Sequence, residues 1–338
     1  MRKPTRYSWL LMLALVAALG VALLLRAKAP PEVARLLPEC DAIVYANVKP
    51  LRTATHFDKT VVARSAEFQQ FIDATGIVPE RDLDAVAFAL HRMDDPNGPN
   101  GPVAYSEVFE GRFDAEKLAH YLTGVATSTE SYAGHEIFTI PVGEVKGPKG
   151  RQLRVTQLGY DTIAASNMPT TEQIHAMLDR HRAGASPFAG SSLLADRYGD
   201  VPVLSSAWAI GHIGLPFSER GYITLFGLQL PLPEDTTFVA SVRYLGSIRL
   251  RIEELSPTEA DAAEATKALS SVLNVFKTIQ QIQTQPKTDA ALRQMVDSLK
   301  IDQSKDRTVV TANIPMELLR DMATPEKEVP SDSLPASH

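Results

Sequence analysis

Chemistry is easier to exclude from this chain than to assign to it. Its 338 residues include one cysteine, Cys40. No internal disulfide can therefore hold the fold, and no Cys-x-x-Cys pair can grip zinc or run thiol exchange. There is no Gly-x-Ser-x-Gly elbow, no Gly-x-x-x-x-Gly-Lys-Ser/Thr phosphate loop and no His-Glu-x-x-His helix. A basic excess is missing too. Lys and Arg number 34 against 40 Asp and Glu, a formal net charge of −6, which argues against the cationic footprint of a nucleic-acid binder. An enzyme built on this chain would have to assemble its site in the fold, as catalytic triads do.

One long apolar run is present. Trp9 to Leu25 is uninterrupted, with Arg2, Lys3 and Arg6 before it and Arg26 and Lys28 after it. At about 1.5 Å per helical residue, the run with Tyr7 and Ser8 covers roughly 28 Å, close to a hydrocarbon core. The expected layout is a basic tail (1–8), a transmembrane anchor in the lipid bilayer (9–25) and a linker (26–38). A cleaved export signal is the competing reading, because Ala27-Lys28-Ala29 has the small-x-small pattern. The length of the run, the charges at Arg26 and Lys28 and the imide at Pro30 favour an uncleaved anchor. Flanking cations tie, but a short basic tail normally stays in the cytoplasm. The body is thus expected on the periplasmic side of the inner membrane. Cys40 begins a strand-like run and is read as a small buried hydrophobe, and a lipid anchor on it is disfavoured because Glu39 stands where a small residue is needed and the apolar run ends well before it.

After the linker, 44% hydrophobic and 22% charged residues describe an ordinary globular chain. Period-2 runs predict strands at 42–48, 83–90, 103–111, 153–158, 162–166, 205–213, 238–244, 247–255 and 308–314, with 130–140 as a strand or tight hairpin broken at Ala133-Gly134. Helices are predicted at 65–75, from Asp114 to about Leu122, from a Thr170/Gln173 capping box to Arg182, after Ser256-Pro257-Thr258-Glu259, at 289–299 and briefly from Pro315. The long helix after Ser256 shows Ala265, Leu269, Val272, Phe276 and Ile279 as one stripe. The expected fold class is α+β, antiparallel sheets with helices packed on one face. Two tandem pseudo-repeats, 39–183 and 184–322, share an element order, and 323–338 reads as a disordered tail.

No residue earns a catalytic, cofactor or metal role, and no cofactor is expected. His175 and Asp179 lie one helical turn apart, but His181 falls on another face, so three ligands do not converge. His135 and Glu136 alternate across a strand, as do Glu107 and Glu110. His212 and Trp208 point the same way in theirs and could line a pocket. Lys146, Lys149, Arg151 and Arg154 crowd one hairpin, read as a solvated loop with anionic lipid as the other option. The apolar run Leu215 to Leu232 is expected as an inner strand with a loop over the core, or else as a docking surface for an envelope protein or lipid.

Several segments carry a resemblance: Leu36 to Tyr45, Arg81 to Met93, Gly101 to Asp114, Glu130 to Pro141 and Ala207 to Phe217. On these the chain resembles a group of single-pass, membrane-anchored proteins of acidobacteria to which no activity is assigned. The resemblance implies placement at a membrane and carries over no functional residue. The expected function is a membrane-anchored extracytoplasmic binding or scaffolding protein of the cell envelope. The alternative is an envelope hydrolase with a fold-assembled site.

Overall fold

The computed structural model describes residue 12 and residues 29–59, 64–143, 150–184, 190–212, 222–225, 228–231, 236–244, 247–282 and 290–317. The expected anchor, apart from Met12, and the expected tail lie outside these residues. Among the described residues no helix is long and apolar enough to cross a membrane.

The chain opens with helix α1 (Glu32–Leu36), strand β1 (Ala42–Asn47) and helices α2 (Lys49–Thr55), α3 (Ala66–Thr75) and α4 (Pro79–Asp82). Strands β2 (Leu83–Arg92) and β3 (Val103–Gly111) lead to helix α5 (Ala115–Val125). Then come β4 (Ser128–Tyr132), β5 (His135–Val142), β6 (Arg151–Gln157) and β7 (Thr162–Ser166), and helices α6 (Glu172–Arg182) and α7 (Ser192–Arg197). The second half contains β8 (Ala207–His212), β9 (Tyr222–Leu225), β10 (Leu228–Pro231), β11 (Thr237–Tyr244) and β12 (Ile248–Leu255). Helices α8 (Glu259–Ile282) and α9 (Ala290–Ser298) precede β13 (Lys300–Ser304) and β14 (Arg307–Ile314).

Twelve of the strands form one sheet in the order β13-β14-β12-β11-β8-β1-β2-β3-β7-β6-β5-β4, with every neighbouring pair antiparallel. The two halves meet where β1 pairs with β8, from Ala42 opposite Gly211 to Ala46 opposite Ala207. From that seam each half steps outward in the same order: β1, β2, β3 and then α5; β8, β11, β12 and then α8. Gly211 is required there, because a Cβ would lie 2.6 Å from the Cβ of Ala42.

Helices cover both faces, which corrects the expectation of one. On the front face, Ile43, Tyr45, Trp208, Ile210 and Val239 share the core with Leu36 and Leu37, with Ile174, Met177 and Leu178 of α6, and with Leu193 and Leu194 of α7. Helix α1 comes close because β2 presents only Ala85, Ala87 and Ala89 there. Residues 32–37, read as part of a linker, are therefore core: Val33, Ala34, Leu36 and Leu37 are at most 2% exposed. The Pro30-Pro31 start and the five-residue helix hid this from any periodicity. On the back face, α3 and α5 enclose Ile77, Leu118, Leu122, Phe138, Val155 and Ile163 at one end. At the other end α8 and α9 pack on β13 and β14, with Ala262 and Val296 buried.

Local chemistry explains most boundaries. Asp114, a carboxylate suited to capping the helix it opens, does so, its Oδ1 accepting from Lys117 N (3.2 Å), and Ser65 Oγ likewise accepts from Phe68 N (3.2 Å) at the start of α3. Two others move. Thr171, not Thr170, precedes α6, and it makes no side-chain cap. The cap of α8 is Thr258, whose Oγ1 accepts from Asp261 N (3.2 Å), whereas Ser256 N donates to Asp306 O (2.9 Å). Of the expected α8 stripe, Ala265, Leu269 and Val272 are half-buried and Ala262 is fully buried; the side chains of Phe276 and Ile279 are not described. Strand β13 was not anticipated, since Lys-Ile-Asp-Gln-Ser is an edge strand with little to bury. Of the run Leu215 to Leu232 only residues 222–225 and 228–231 are described, and these form no inner strand: among the described residues β9 and β10 pair with each other, outside the main sheet.

Thr258→Ala is expected to cost about 1 kcal/mol and Ser256→Ala much less. Gly211→Val should cost about 1–3 kcal/mol through overpacking at the seam. Urea unfolding of the three variants checks both; equal losses for Thr258→Ala and Ser256→Ala would put the cap elsewhere.

Candidate binding face

The histidines singled out from sequence are occupied in joining elements. His175 Nε2 lies 2.9 Å from Glu130 Oε1, and its ring stacks on Tyr132 with centroids 3.8 Å apart. The Tyr132 hydroxyl donates to Asp179 Oδ2 at 2.9 Å. These contacts bind α6 to the edge strand β4. His181 instead meets His135 edge-on at 6.1 Å, and His135 Nδ1 lies 2.8 Å from Gln157 O. Among the described residues no three His, Cys, Asp or Glu side chains form a metal-holding group. His212 reaches Thr237 Oγ1 (3.2 Å) and, four residues along the strand, stands about 13 Å from Trp208. They do not share a pocket: Trp208 stacks on Tyr45 and Tyr198. Lys146 and Lys149 lie outside the described residues. Arg151 and Arg154 donate to the carbonyls of Pro99, Met168 and Pro169 and so fix loops.

A histidine and two serines come together where spacing gave no hint. His91 Nε2 is 2.9 Å from Ser106 Oγ, which is 3.0 Å from Ser166 Oγ. The pair has the elements of a base and a nucleophile, but Ser106 is 0% exposed and Ser166 1%. No substrate reaches a hydroxyl so enclosed, and the row works as a polar stitch across β2, β3 and β7. Burial pushes the His91 ring down to about 4, so it is neutral there. Burial likewise pushes the Cys40 thiol up to about 12, which removes it as a nucleophile.

Among the described residues, the middle of the back face is the part that no helix covers. Paired residues in the register share a face, which gives the row Glu107, Phe88, Val44, Ala209, Ala240, Ile252 and Val310 across seven strands. All seven are only half-buried. The helix pairs α3/α5 and α8/α9 pack on the strands at either side. Between them the described residues form an apolar trough with a floor of small, half-buried residues: Ala46, Ala207, Ala209 and Ala240. Two carboxyls face the same way, Glu107 and the buried Glu254, and neither has a hydrogen-bonded or ion-paired partner among the described residues. Burial pushes Glu107 up to about 7 and raises Glu254 as well. Glu110 points to the other face, as alternation requires.

Two shallow clefts also mark the surface. One, about 300 Å³, is lined by Tyr198, Trp208 and the loop from Val201 to Ser205. The other, about 290 Å³, is lined by cations on β11, β12 and β13.

The raised Glu107 carboxyl has a direct consequence. The folded state favours the neutral acid up to about pH 7, whereas the unfolded chain ionises near the ordinary 4.5. Folded protein therefore holds more protons between those values, and the stability from this group falls as pH rises through that window. Glu107→Gln should be more stable than the parent by about 1–3 kcal/mol at pH 8 and equal to it at pH 4. Urea midpoints at the two pH values check this; no gain at pH 8 would mean that the carboxyl is well solvated.

No protein-family model matches the chain, and no curated relative does. Solved structures of TP0453 are similar in outline. Its crystal form III shares 12% identity over 87% of this chain and 98% of that one, with a TM-score of 0.48. Crystal form I shares 11% over 88% and 98%, with a TM-score of 0.45. Crystal form IV shares 10% over 86% and 96%, also at 0.45. Likeness at that level carries no functional assignment, and the function is read from this chain's own geometry.

Proposed function

We propose that this protein is a binding or scaffolding protein of the cell envelope, tethered in the inner membrane by residues 9–25, with its body in the periplasm. Its partner is taken on the open middle of the back face. The observation that carries the reading is the trough itself. A monomer that needed this surface only as core would close it with a helix, yet the described helices pack to its two sides. The tether reading rests on the apolar run Trp9 to Leu25 and its flanking cations. A duplication is part of the same proposal: the two halves would be copies of one unit joined at the β1–β8 seam.

Binding fits this surface better than hydrolysis. The His91–Ser106 pair is sealed, and the two carboxyls of the trough stand on strands β3 and β12, with four strands between them. That separation suits contact along an extended partner rather than concerted acid–base work on one bond.

The tether is tested by extracting membranes from cells that make the full chain. It should stay in the pellet at alkaline pH, and mature soluble chains starting near Pro30 would show a cleaved signal instead. The binding face is tested with a photo-crosslinking residue in the full chain. At Ala240 it should give a discrete adduct that the same residue at exposed Lys267 does not. Adducts equal at both positions would remove the trough as the binding surface.

A further inference from the structure

The chain enters its body at one end of the strands. Burial raises the pKa of Glu110, and the charges of Lys49, Asp161, Asp84 and Glu32 all reach it, which places the start of α1 beside the end of β3. Backbone hydrogen bonds string the same end together. Gly111 N donates to Asp161 O (2.8 Å), Asn47 N to Ser206 O (2.7 Å) and Ser206 N to Val242 O (2.8 Å). Three apolar side chains project from the turns of this end: Tyr160, 82% exposed, Val203, 61%, and Leu204, 73%. Leu204 holds φ = 66°, a left-handed conformation uncommon for a residue of its kind.

The cationic cleft opens at this end too. Arg243 and Arg249 stand directly opposite each other in the β11–β12 register, and Asn313 is the next residue across from Arg249. One step along, Arg251, Thr311 and Lys300 form the adjacent row. Arg251 Nε donates to Glu253 Oε1 (2.6 Å). The side chains of Arg243, Arg249 and Lys300 have no hydrogen-bonded or ion-paired partner among the described residues. Like charges directly opposite on a sheet are destabilising. Here they gather in a chain whose net charge is −6. A ligand anion would relieve the repulsion, and two guanidiniums with an ammonium suit a phosphate diester.

We propose that this cleft binds the phosphate of anionic phospholipid headgroups at the surface of the membrane that holds the tether. The inference rests on the tether reading above. Only residues 26–31 separate the apolar run from α1, a reach of about 20 Å at full extension. The end bearing the cleft is therefore held close to the headgroups, and exposed Tyr160, Val203 and Leu204 lie in the turns at that same end. Aromatic and apolar tips beside cations are the composition that a bilayer interface takes.

The experiment uses the full chain in nanodiscs of phosphatidylcholine alone or of phosphatidylcholine with 30% phosphatidylglycerol, read by amide hydrogen exchange. With phosphatidylglycerol, amides of residues 241–251 should exchange at least tenfold more slowly, and Arg243→Gln/Arg249→Gln should abolish that difference. The double variant should unfold at or above the parent's temperature, because it relieves a repulsion. If it unfolds earlier, Lys300→Gln serves in its place, with an expected loss of at least threefold in the protection. Inorganic phosphate at 10 mM in phosphatidylcholine discs should not protect these amides; full protection by it would make the cleft a site for free phosphate and overturn the lipid. Equal exchange in both discs, or protection surviving in the variants, also overturns the proposal. Elution of the chain with phosphatidylcholine discs reports on the tether alone. A chain that does not elute with them sinks the tether; one that does, with unchanged exchange, sinks the cleft.

Discussion

The antiparallel pairing of β1 with β8 is the joint on which the body depends. Without it the sheet divides into one piece of seven strands and another of five, each with an open edge at its most apolar strand. The joint is narrow and closely fitted. Tyr45 stacks on Trp208 at 5.4 Å on the front, and on the back Gly211 leaves room for Ala42 and nothing larger. Small residues at the joint bring two backbones together and also create the shallow floor of the trough. One constraint thus produces both the continuity of the sheet and the surface proposed for binding.

Charges fall into two groups that do different work. Arg307 bridges Glu253 (3.1 Å) and Asp200 (2.8 Å), tying the turn after α7 to the outer strands. Asp82 accepts from Val78 N and from Arg81, and it anchors the start of β2. Burial opposes the ionisation of Asp82, but these hydrogen bonds, with the charges of Arg81 and Arg112, hold its pKa below the usual range. Such groups satisfy one another and stabilise the fold. Glu107, Glu254, Arg243 and Arg249 do not, and they sit at the trough and the cleft. Unrelieved polar groups that a ligand can reach are where an incoming ligand gains most.

Strands and hairpins were largely legible in the sequence, because alternation and turn residues act over a few positions. Asp94 to Pro102 had to be a loop and Ala133-Gly134 a turn, and so they are. Caps were less legible where hydroxyls compete: Ser256, Thr258, Thr170 and Thr171 all qualify by type, and only the path of the chain selects among them. Long-range pairing left no local trace, so the two expected units turned out to share one sheet. The trough was invisible for the same reason, since Val44, Phe88 and Ile252 each read as ordinary strand residues. Arg243 and Arg249 stayed hidden for a related reason. A two-residue Leu245-Gly246 turn would put Arg243 opposite Ile248, and only the observed register, with Tyr244 opposite Ile248, sets the two arginines face to face.

The partners at the seam stand 161 to 169 positions apart in the chain, and that distance has a consequence in time. A polypeptide emerging at 5–20 residues per second delivers β8 on the order of ten seconds after β1. Throughout that interval β1 pairs with β2 on one side and offers a bare backbone edge on the other. The strand at the centre of the sheet is thus the first made, and it gains its second neighbour only after β2 to β7 exist. Assembly proceeds outward on one side before the other exists, which places this chain among topologies that fold slowly and need protection while they wait.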